Sequence, residues 1–118
     1  MPRDSRLYLR DILRAIDRIN QVLARIDEER FKDNALDVDA VLFNLMTIGE
    51  AVKSIPAEAL ERFPEARWRE IARFRDRMVH HYFSLDLAIV WEIVTLHIPD
   101  LRTAVEALLQ DMEQSDDG

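Results

Sequence analysis

Apolar residues recur at alternating spacings of three and four along two stretches of the chain, and this pattern most limits the folds open to it. The first stretch places leucine or isoleucine at Leu9, Ile12, Ile16, Ile19, Leu23 and Ile26. The second stretch places apolar residues at Val38, Val41, Leu45, Ile48, Val52 and Ile55. Such spacing aligns side chains on one face of an α-helix, whereas a strand alternates at every second residue. The sequence therefore predicts two long amphipathic helices.

Glycine and proline are scarce, which argues against a sheet. The 118 residues include two glycines and four prolines, and sheet proteins built on tight turns generally need more of both. The prolines instead indicate helix boundaries. We expect Pro56 to stop the second helix or to start a short one, and Pro64 to open a third helix from about residue 65 to residue 80.

The fourth helix should begin near Ser84, a favourable N-cap residue, with Asp86 in its first turn. Pro99 lacks an amide hydrogen and is expected to kink or break this helix near residue 98. The sequence thus predicts an all-α, up-and-down bundle of four main helices plus one short helix. We assign the bundle to residues 1–112 as a single domain and residues 113–118 to an acidic, flexible tail.

Additional apolar residues beside the two seams predict self-association. Leu13, Leu42 and Met46 flank the seam positions of the first two helices. The polar stretch Lys32-Asp33-Asn34 between these helices is short, which makes them antiparallel neighbours. Because one small bundle does not cover all of this apolar surface, we expect a homodimer.

The composition excludes several classes of chemistry. The chain has no cysteine, which rules out disulfides and thiolate-based catalysis or metal binding. We expect no cofactor and no metal. No apolar run approaches the length of about 18 residues that a membrane span needs, and the first residues lack the apolar core of a signal peptide. A cytoplasmic protein with no membrane partner is the resulting expectation.

Arginine is concentrated in one part of an otherwise acidic chain. The formal net charge of −7 argues against a nucleic-acid partner. Between residues 62 and 77, however, six arginines face only three acidic residues. These arginines are Arg62, Arg67, Arg69, Arg73, Arg75 and Arg77. Their planar guanidinium groups suit phosphate, although arginine is also a good helix former.

One arginine interrupts the apolar face of the third helix. Trp68, Ile71, Met78 and Tyr82 follow the three-and-four spacing, and Arg75 occupies the position between Ile71 and Met78. A buried guanidinium without a partner is costly, so it must meet a carboxylate, a partner chain or a ligand anion. A structural ion pair, for example with Glu50 on the second helix, and an anion-binding site both remain open.

Asp76 and His80 lie four residues apart on one helical face, so the carboxylate can orient the imidazole. On an ideal helix, His80 is rotated by about 140° from Arg75. The two side chains therefore converge only if the helix ends near His80 or if a second copy of the chain completes the site. Both arrangements favour a cleft at a dimer interface.

The segment Arg75 to Tyr82 resembles the motif of HepT toxins, in which four residues separate arginine from histidine and one separates histidine from tyrosine. HepT toxins belong to the HEPN superfamily of helical ribonucleases. The resemblance extends from about Leu7 to Leu109, and Asp76 stands where the family often carries asparagine. Its other parts are Ile48-Gly49-Glu50-Ala51, Trp68, Trp91 and Ile98-Pro99-Asp100-Leu101.

This resemblance implies a HEPN-like dimer and the toxin of a type VII toxin–antitoxin system. The activity would be a metal-independent endoribonuclease, in which the RNA 2′-hydroxyl attacks its own phosphodiester. His80 would act as general base or acid, Arg75 would stabilise charge on the phosphorane, and Asp76 would support them. The implied partners are an RNA substrate and a cognate minimal nucleotidyltransferase antitoxin, which in some relatives attaches AMP to the tyrosine that corresponds to Tyr82.

Alternative interpretations stay open. The chain could be a non-catalytic nucleotide- or substrate-binding subunit of a nucleotidyltransferase, or a structural bundle with an accidental motif.

Several other residues have simple structural interpretations. His81 points about 100° away from His80, which disfavours a metal pair, and His97 fits a hydrogen-bonded core histidine. Gly49 inside a helix would allow two backbones to approach closely. A ridge of four arginines is either a solvated face or a contact for RNA: Arg6, Arg10, Arg14 and Arg18.

Overall fold

Four long helices form the framework of the molecule. The computed structural model describes residues 3–117, with side chains described as far as residue 115. The long helices are α1 (Ser5–Leu23), α3 (Ala35–Ser54), α5 (Trp68–His81) and α7 (Ile98–Asp117). The short helices are α2 (Glu28–Asp33), α4 (Ala57–Leu60) and α6 (Leu87–Glu92). Residues 3–117 contain no strand, and the predicted all-α class is confirmed.

Helix α3 lies at the centre of the bundle. It packs against both α1 and α5, and α7 packs against α1. Most of the residues of the two predicted seams are buried, and each such aliphatic side chain contributes about 1.5–3 kcal/mol to folding. None of the helices in the described part of the chain is long and apolar enough to cross a membrane.

Polar side chains define where three of the helices begin. The Asp4 carboxylate accepts a hydrogen bond from the backbone amide of Arg6 and caps α1. Asp27 caps α2, and the Asn34 side chain accepts from the backbone amide of Asp37 to start α3. We did not predict α2: it occupies most of the connection between the first two long helices, where Asp27 caps it and its Phe31 is buried in the core.

The third long helix begins later than predicted. Pro64 opens a single 3-10 turn, Pro64–Ala66, and Arg67 then adopts a left-handed conformation with a φ of 54°. Few residues other than glycine take this conformation, and it separates the turn from α5. The indole of Trp68 donates a 2.8 Å hydrogen bond to the carbonyl of Phe63, which fixes the turn against the start of the helix.

The last long helix also departs from the prediction. Ser84 is not its cap: the Ser84 hydroxyl donates to the carbonyl of His81, and the Asp86 carboxylate caps α6. Before Pro99, residues Ile93–His97 form a π-helical stretch that joins α6 to α7, so the helix does not break there, and the kink that we predicted as the alternative stays a prediction. A wider turn accommodates the missing amide hydrogen of proline.

Helix α7 continues to Asp117, through most of the segment that we predicted as a flexible tail. Glu113 accepts a 2.7 Å hydrogen bond from Arg10 of α1, so the beginning of that segment contacts the bundle. The domain boundary after residue 112 and the flexibility of the tail stay predictions. Gly118 lies outside the described residues.

Candidate active site

Arg75 lies in the middle of α5 and faces α3. Its guanidinium forms ion pairs with Glu50 of α3 and, at 3.0 Å, with the neighbouring Asp76. Only 24% of the Arg75 side chain is exposed, whereas 53% of the Glu50 side chain is. The structure therefore contains the Arg75–Glu50 pair that was one of our two interpretations. The pair places the guanidinium at the edge of the α3–α5 contact, with one side towards solvent.

Gly49 explains why Arg75 can lie so close to α3. A Cβ atom built on Gly49 would fall 2.2 Å from Cβ of Arg75 and 2.6 Å from its Cγ. No residue with a side chain fits there unless α5 moves away. The helix tolerates the glycine, which costs about 1 kcal/mol relative to alanine. The predicted use of Gly49, a close approach of two backbones, is confirmed.

Asp76 completes a row of alternating charges along the contact. It accepts a 2.8 Å hydrogen bond from Lys53 and a 3.0 Å bond from Arg75. These bonds, the one from Lys53 first, hold the pKa of the Asp76 carboxyl below its usual value. Among the described residues, no hydrogen bond joins Asp76 to His80. In the single chain, the carboxylate that we expected to orient the imidazole orients Arg75 instead.

His80 occupies the opposite side of α5, in the last turn of the helix. It is exposed, as is the adjacent His81. Arg75 is directed towards α3 and His80 towards solvent, as the angular separation on the helix predicts. One chain therefore does not bring the two side chains into one pocket. The described residues contain no group of three or more side chains that could hold a metal ion.

Tyr82 lies just beyond the end of α5, in a 3-10 turn of residues Tyr82–Ser84. Its hydroxyl donates a 3.0 Å hydrogen bond to the carboxylate of Asp39 near the start of α3. Burial and then this bond raise the pKa of Tyr82 above 10.0. The ring of Phe83 packs edge-on against Tyr82 and is itself fully exposed. Tyr82 and Arg75 thus share one side of α5.

Our sequence analysis missed two of these partners, Asp39 and Lys53. Both lie on the flank of α3 that faces α5, together with Gly49 and Glu50. Their helical spacing to Glu50 was visible in the sequence, since residues 39, 46, 50 and 53 follow intervals of seven, four and three. The register between the two helices was not visible, and it decides which side chains meet.

Comparison with known proteins identifies the group to which this chain belongs. The family model described as "Ribonuclease HepT-like" matches residues 12–108. The chain belongs to the HepT-like ribonuclease family. A protein of Thermococcus cleftensis named "Probable ribonuclease HepT" is 39% identical over 108 residues, which cover 92% of this chain and 98% of that protein. The predicted family and class of enzyme are confirmed.

Further HepT-like relatives extend over most of the chain. A protein of Methanocaldococcus jannaschii, named as a candidate RNase, is 37% identical over 112 residues, or 95% of this chain and 97% of the relative. A protein of Caldanaerobacter subterraneus with a similar name is 35% identical over 105 residues, or 89% and 94%. No solved structure matches the chain.

The structure also tests our interpretations of two other basic features of this HepT-like chain, the α1 arginine ridge and His97. In the α1 ridge, Arg10 pairs with Glu113 and Arg14 with Asp11, which fits a solvated face. His97 is half-buried on the wall of a cleft and, within the described residues, its ring forms no hydrogen bond, so the expected hydrogen-bonded core histidine is wrong.

Proposed function

We propose that this chain is the toxin of a type VII toxin–antitoxin system, a metal-independent endoribonuclease that acts as a cytoplasmic homodimer. One observation carries the proposal: Arg75 is held in place by Gly49, Glu50 and Asp76, within a family of ribonucleases. A structural ion pair alone does not require a helix glycine at the point of contact. The close contact with Gly49 fits a guanidinium that is held in a fixed position to meet a phosphate.

The chemistry follows from the side chains available. The 2′-hydroxyl of the RNA attacks the adjacent phosphorus, and its proton passes to a base. The 5′-oxygen leaves with a proton from an acid, which yields a 2′,3′-cyclic phosphate and a free 5′-hydroxyl. His80 serves as the general base or acid in these transfers, because an imidazole can accept or donate a proton. Arg75 stabilises the additional charge on the phosphorane oxygens, which is the contribution that a metal ion makes in other nucleases.

A second copy of the chain would bring Arg75 and His80 together. Large apolar side chains are exposed on α3 and just after α5, with Leu36 at 81%, Phe43 at 65% and Phe83 at 101% relative exposure. Exposed apolar surface of this kind favours association. In a twofold dimer each chain supplies the same residues to the other, so an Arg75 and a His80 from different chains can face one phosphate.

The antitoxin would be a minimal nucleotidyltransferase that modifies Tyr82. In that reaction the Tyr82 oxygen attacks the α-phosphate of ATP, pyrophosphate leaves and the phenolic proton passes to a base. The hydrogen bond to Asp39 places a carboxylate at the correct atom to receive the proton. An attached AMP adds a bulky anion on the Arg75 side of α5 and would exclude RNA by its volume and its charge.

Replacement of His80 tests the catalytic proposal. We expect His80→Ala to lower RNA cleavage by at least about 100-fold, the usual contribution of a general acid or base. The melting temperature should stay near that of the wild type, because the side chain is exposed. His81→Ala is the matched control, since it removes the adjacent exposed imidazole and should retain activity. Wild-type cleavage by a folded His80→Ala protein contradicts the mechanism.

Light scattering combined with mixing tests the composite site. The wild type should be a dimer at micromolar concentration. Arg75→Ala and His80→Ala proteins, each inactive alone, should regain cleavage when their chains are exchanged, since a mixed dimer retains one intact Arg75–His80 pair. A monomer with full activity would disprove the composite site. A wild type that cleaves no RNA but binds the nucleotidyltransferase would support the non-catalytic subunit instead.

A further inference from the structure

A cleft separates α5 from α6 and the start of α7. It has a volume of about 410 Å³, within the range of small-molecule sites. Leu45 and Ile48 of α3 form its floor, and Ile89 and Ile93 form the wall on the α6 side. The ring of Phe74 faces it from α5. This α5–α7 cleft is thus large enough for a nucleobase and lined by an aromatic ring and branched aliphatic side chains.

The α5 wall of the cleft is cationic. Arg67, Arg73 and Arg77 line it against a single carboxylate, Glu70. Arg67 lies 3.9 Å from Glu70, whereas no carboxylate of the described residues pairs with Arg73 or Arg77. Most other arginines of this acidic protein are paired; those at positions 3, 10, 14, 25, 62, 75 and 102 all form ion pairs. Arg18, Arg30 and Arg69 are also unpaired among the described residues; Arg73 and Arg77 differ from them in lining this cleft, where their charges can bind an external anion.

Arg73 and Arg77 also lie on the same side of α5 as His80. Arg77 precedes His80 by three residues and Arg73 by seven, spacings that superpose on one helical face. With a rise of 1.5 Å per residue, they lie about 4.5 Å and about 10.5 Å from His80 along the axis. We call Arg73 and Arg77 the outer arginine row. They form a line of positive charge that extends from the proposed catalytic histidine along the mouth of the cleft.

We propose that the outer arginine row and the α5–α7 cleft form a binding site for the part of a single-stranded RNA that flanks the cleaved bond. Phosphates bind Arg77 and Arg73, and one base inserts against Phe74 and Ile93. Proteins that hold single strands combine a basic track with an aromatic surface for bases in this way. Because the row is aligned with His80, an RNA strand suits it better than an acidic protein segment. This inference rests on the proposed ribonuclease function for the position of the cleaved bond.

The test separates binding from cleavage. Fluorescence anisotropy measures the affinity for a labelled single-stranded RNA of about twelve nucleotides at several salt concentrations. The His80→Ala protein is used so that the RNA is not cleaved, and it is compared with the same protein that also carries Arg73→Gln and Arg77→Gln. We expect the two added substitutions to weaken binding by about tenfold. The slope of log affinity against log salt should become shallower by about 1.4, or 0.7 for each lost phosphate contact.

Cleavage by proteins with an intact His80 provides the second measurement. The pair Arg73→Gln and Arg77→Gln should lower kcat/KM on the longer RNA about tenfold more than on a dinucleotide, which cannot span both arginines. Arg30→Gln is the matched control: an exposed helical arginine on α2 whose guanidinium has no partner within the described residues, and it should change neither slope nor cleavage.

Each outcome decides between the proposals. Unchanged affinity and slope in the double-arginine variant overturn the binding site, even if His80→Ala has abolished cleavage and supported the ribonuclease mechanism. Row-dependent binding by a protein that cleaves no RNA supports the site and overturns the catalytic function. If the variant binds RNA normally but loses the nucleotidyltransferase, the row binds an acidic protein segment and the RNA proposal is wrong.

Discussion

Arginine side chains on the two sides of α5 differ in whether they form ion pairs. On the inner side, Arg75 is paired with two carboxylates and packed against a glycine. On the outer side, Arg73 and Arg77 are exposed and no described carboxylate pairs with them. The inner guanidinium has one geometry, whereas the outer ones can adapt to a flexible strand. In the proposed ribonuclease, the inner side of α5 would therefore position a catalytic group and the outer side would bind the RNA strand.

This division also separates stability from binding. The inner side contributes to the α3–α5 contact, so substitutions that change its packing, as at Gly49, affect folding and function together, whereas removal of the partly exposed Arg75 charge affects mainly function. The outer side contributes little to folding, because its side chains are solvated and exposed charges add little stability. Variants that destabilise the fold should therefore be confined to the inner side of α5, and the predictions below test this comparison.

The largest effect is expected for Arg75→Ala, which should reduce cleavage by about 100- to 1,000-fold, as the loss of one preorganised donor to a developing charge does. Stability should change little, because the ion pairs are partly exposed and alanine keeps the Cβ that packs on Gly49. A cleavage assay beside a thermal melt measures both. Arg75→Lys, which keeps the charge and loses the planar fork, should recover only part of the activity.

An opposite pattern would change the interpretation of the inner side. A buried pair that loses one partner typically costs about 3–5 kcal/mol. If Arg75→Ala lowered the melting temperature strongly and the remaining folded protein cleaved RNA at the wild-type rate, Arg75 would be a structural residue.

The next effect is expected for Gly49→Ala. The added methyl would overlap Cβ of Arg75, so α5 must shift and the core must open. Such overpacking typically costs about 1–3 kcal/mol, which exceeds the gain of about 1 kcal/mol from the higher helix propensity of alanine. Denaturant unfolding should show a net loss, and activity per folded molecule should also fall because Arg75 is displaced.

A second substitution measures how much of this loss of stability comes from the contact between Gly49 and Arg75. In an Arg75→Gly background, Cβ and Cγ are absent, and Gly49→Ala should cost less than it does in the wild type. The difference between the two costs is the coupling free energy of a double-mutant cycle. A coupling of zero would show that the glycine is required for another reason than its contact with Arg75.

The inner side also shows what the sequence could and could not predict. The apolar spacing located α1, α3, α5 and α7, because long amphipathic helices are determined by local periodicity. The start of α5 was wrong, because Arg67 takes a left-handed conformation that sequence patterns reserve for glycine. The ion pair of Arg75 with Glu50 could be considered in advance, since a charge on an apolar face demands a partner.

Contacts between helices were harder to predict than the helices. Asp39 and Lys53 were missed because their pairing with Tyr82 and Asp76 depends on the register between α3 and α5. The pairing of Asp76 with His80 was expected from a spacing of four within one helix, yet Lys53 and Arg75 occupy that carboxylate in the folded chain. A donor on the neighbouring helix, Lys53, therefore binds a carboxylate that the spacing within α5 alone would assign to His80.

A smaller effect is expected for Tyr82→Phe. The substitution keeps the ring and removes the hydroxyl that donates to Asp39. The free energy of unfolding should therefore fall by about 0.5–1.5 kcal/mol, which a thermal melt measures. In cells that also make the cognate nucleotidyltransferase, the wild type should gain the mass of AMP at Tyr82 and the variant should not. Tyr8→Phe is the control phenol. Neutralisation of the toxin with Tyr82 unmodified would show that the antitoxin acts by binding alone.

The smallest effect concerns Asp76 and pH. Hydrogen bonds from Lys53 and then Arg75 lower the pKa of this carboxyl from 3.8, so the folded protein binds the proton more weakly than the unfolded chain does. The contribution of Asp76 to stability is therefore fully present above its ordinary pKa and is lost as the pH falls towards the lowered value. Asp76→Asn keeps the shape of the side chain and removes the charge.

We therefore expect the wild type to melt slightly above Asp76→Asn at about pH 6, with the difference shrinking as the pH falls below the ordinary carboxyl pKa and vanishing below the lowered one, where both proteins carry an uncharged group at this position. Other carboxylates titrate in the same range, but they do so in both proteins and cancel in the difference. Asp33→Asn, which removes an exposed carboxylate without an ion pair among the described residues, should show no such pH dependence. A difference that persists unchanged to low pH would mean that the asparagine amide, rather than the missing charge, disturbs the contact between α3 and α5.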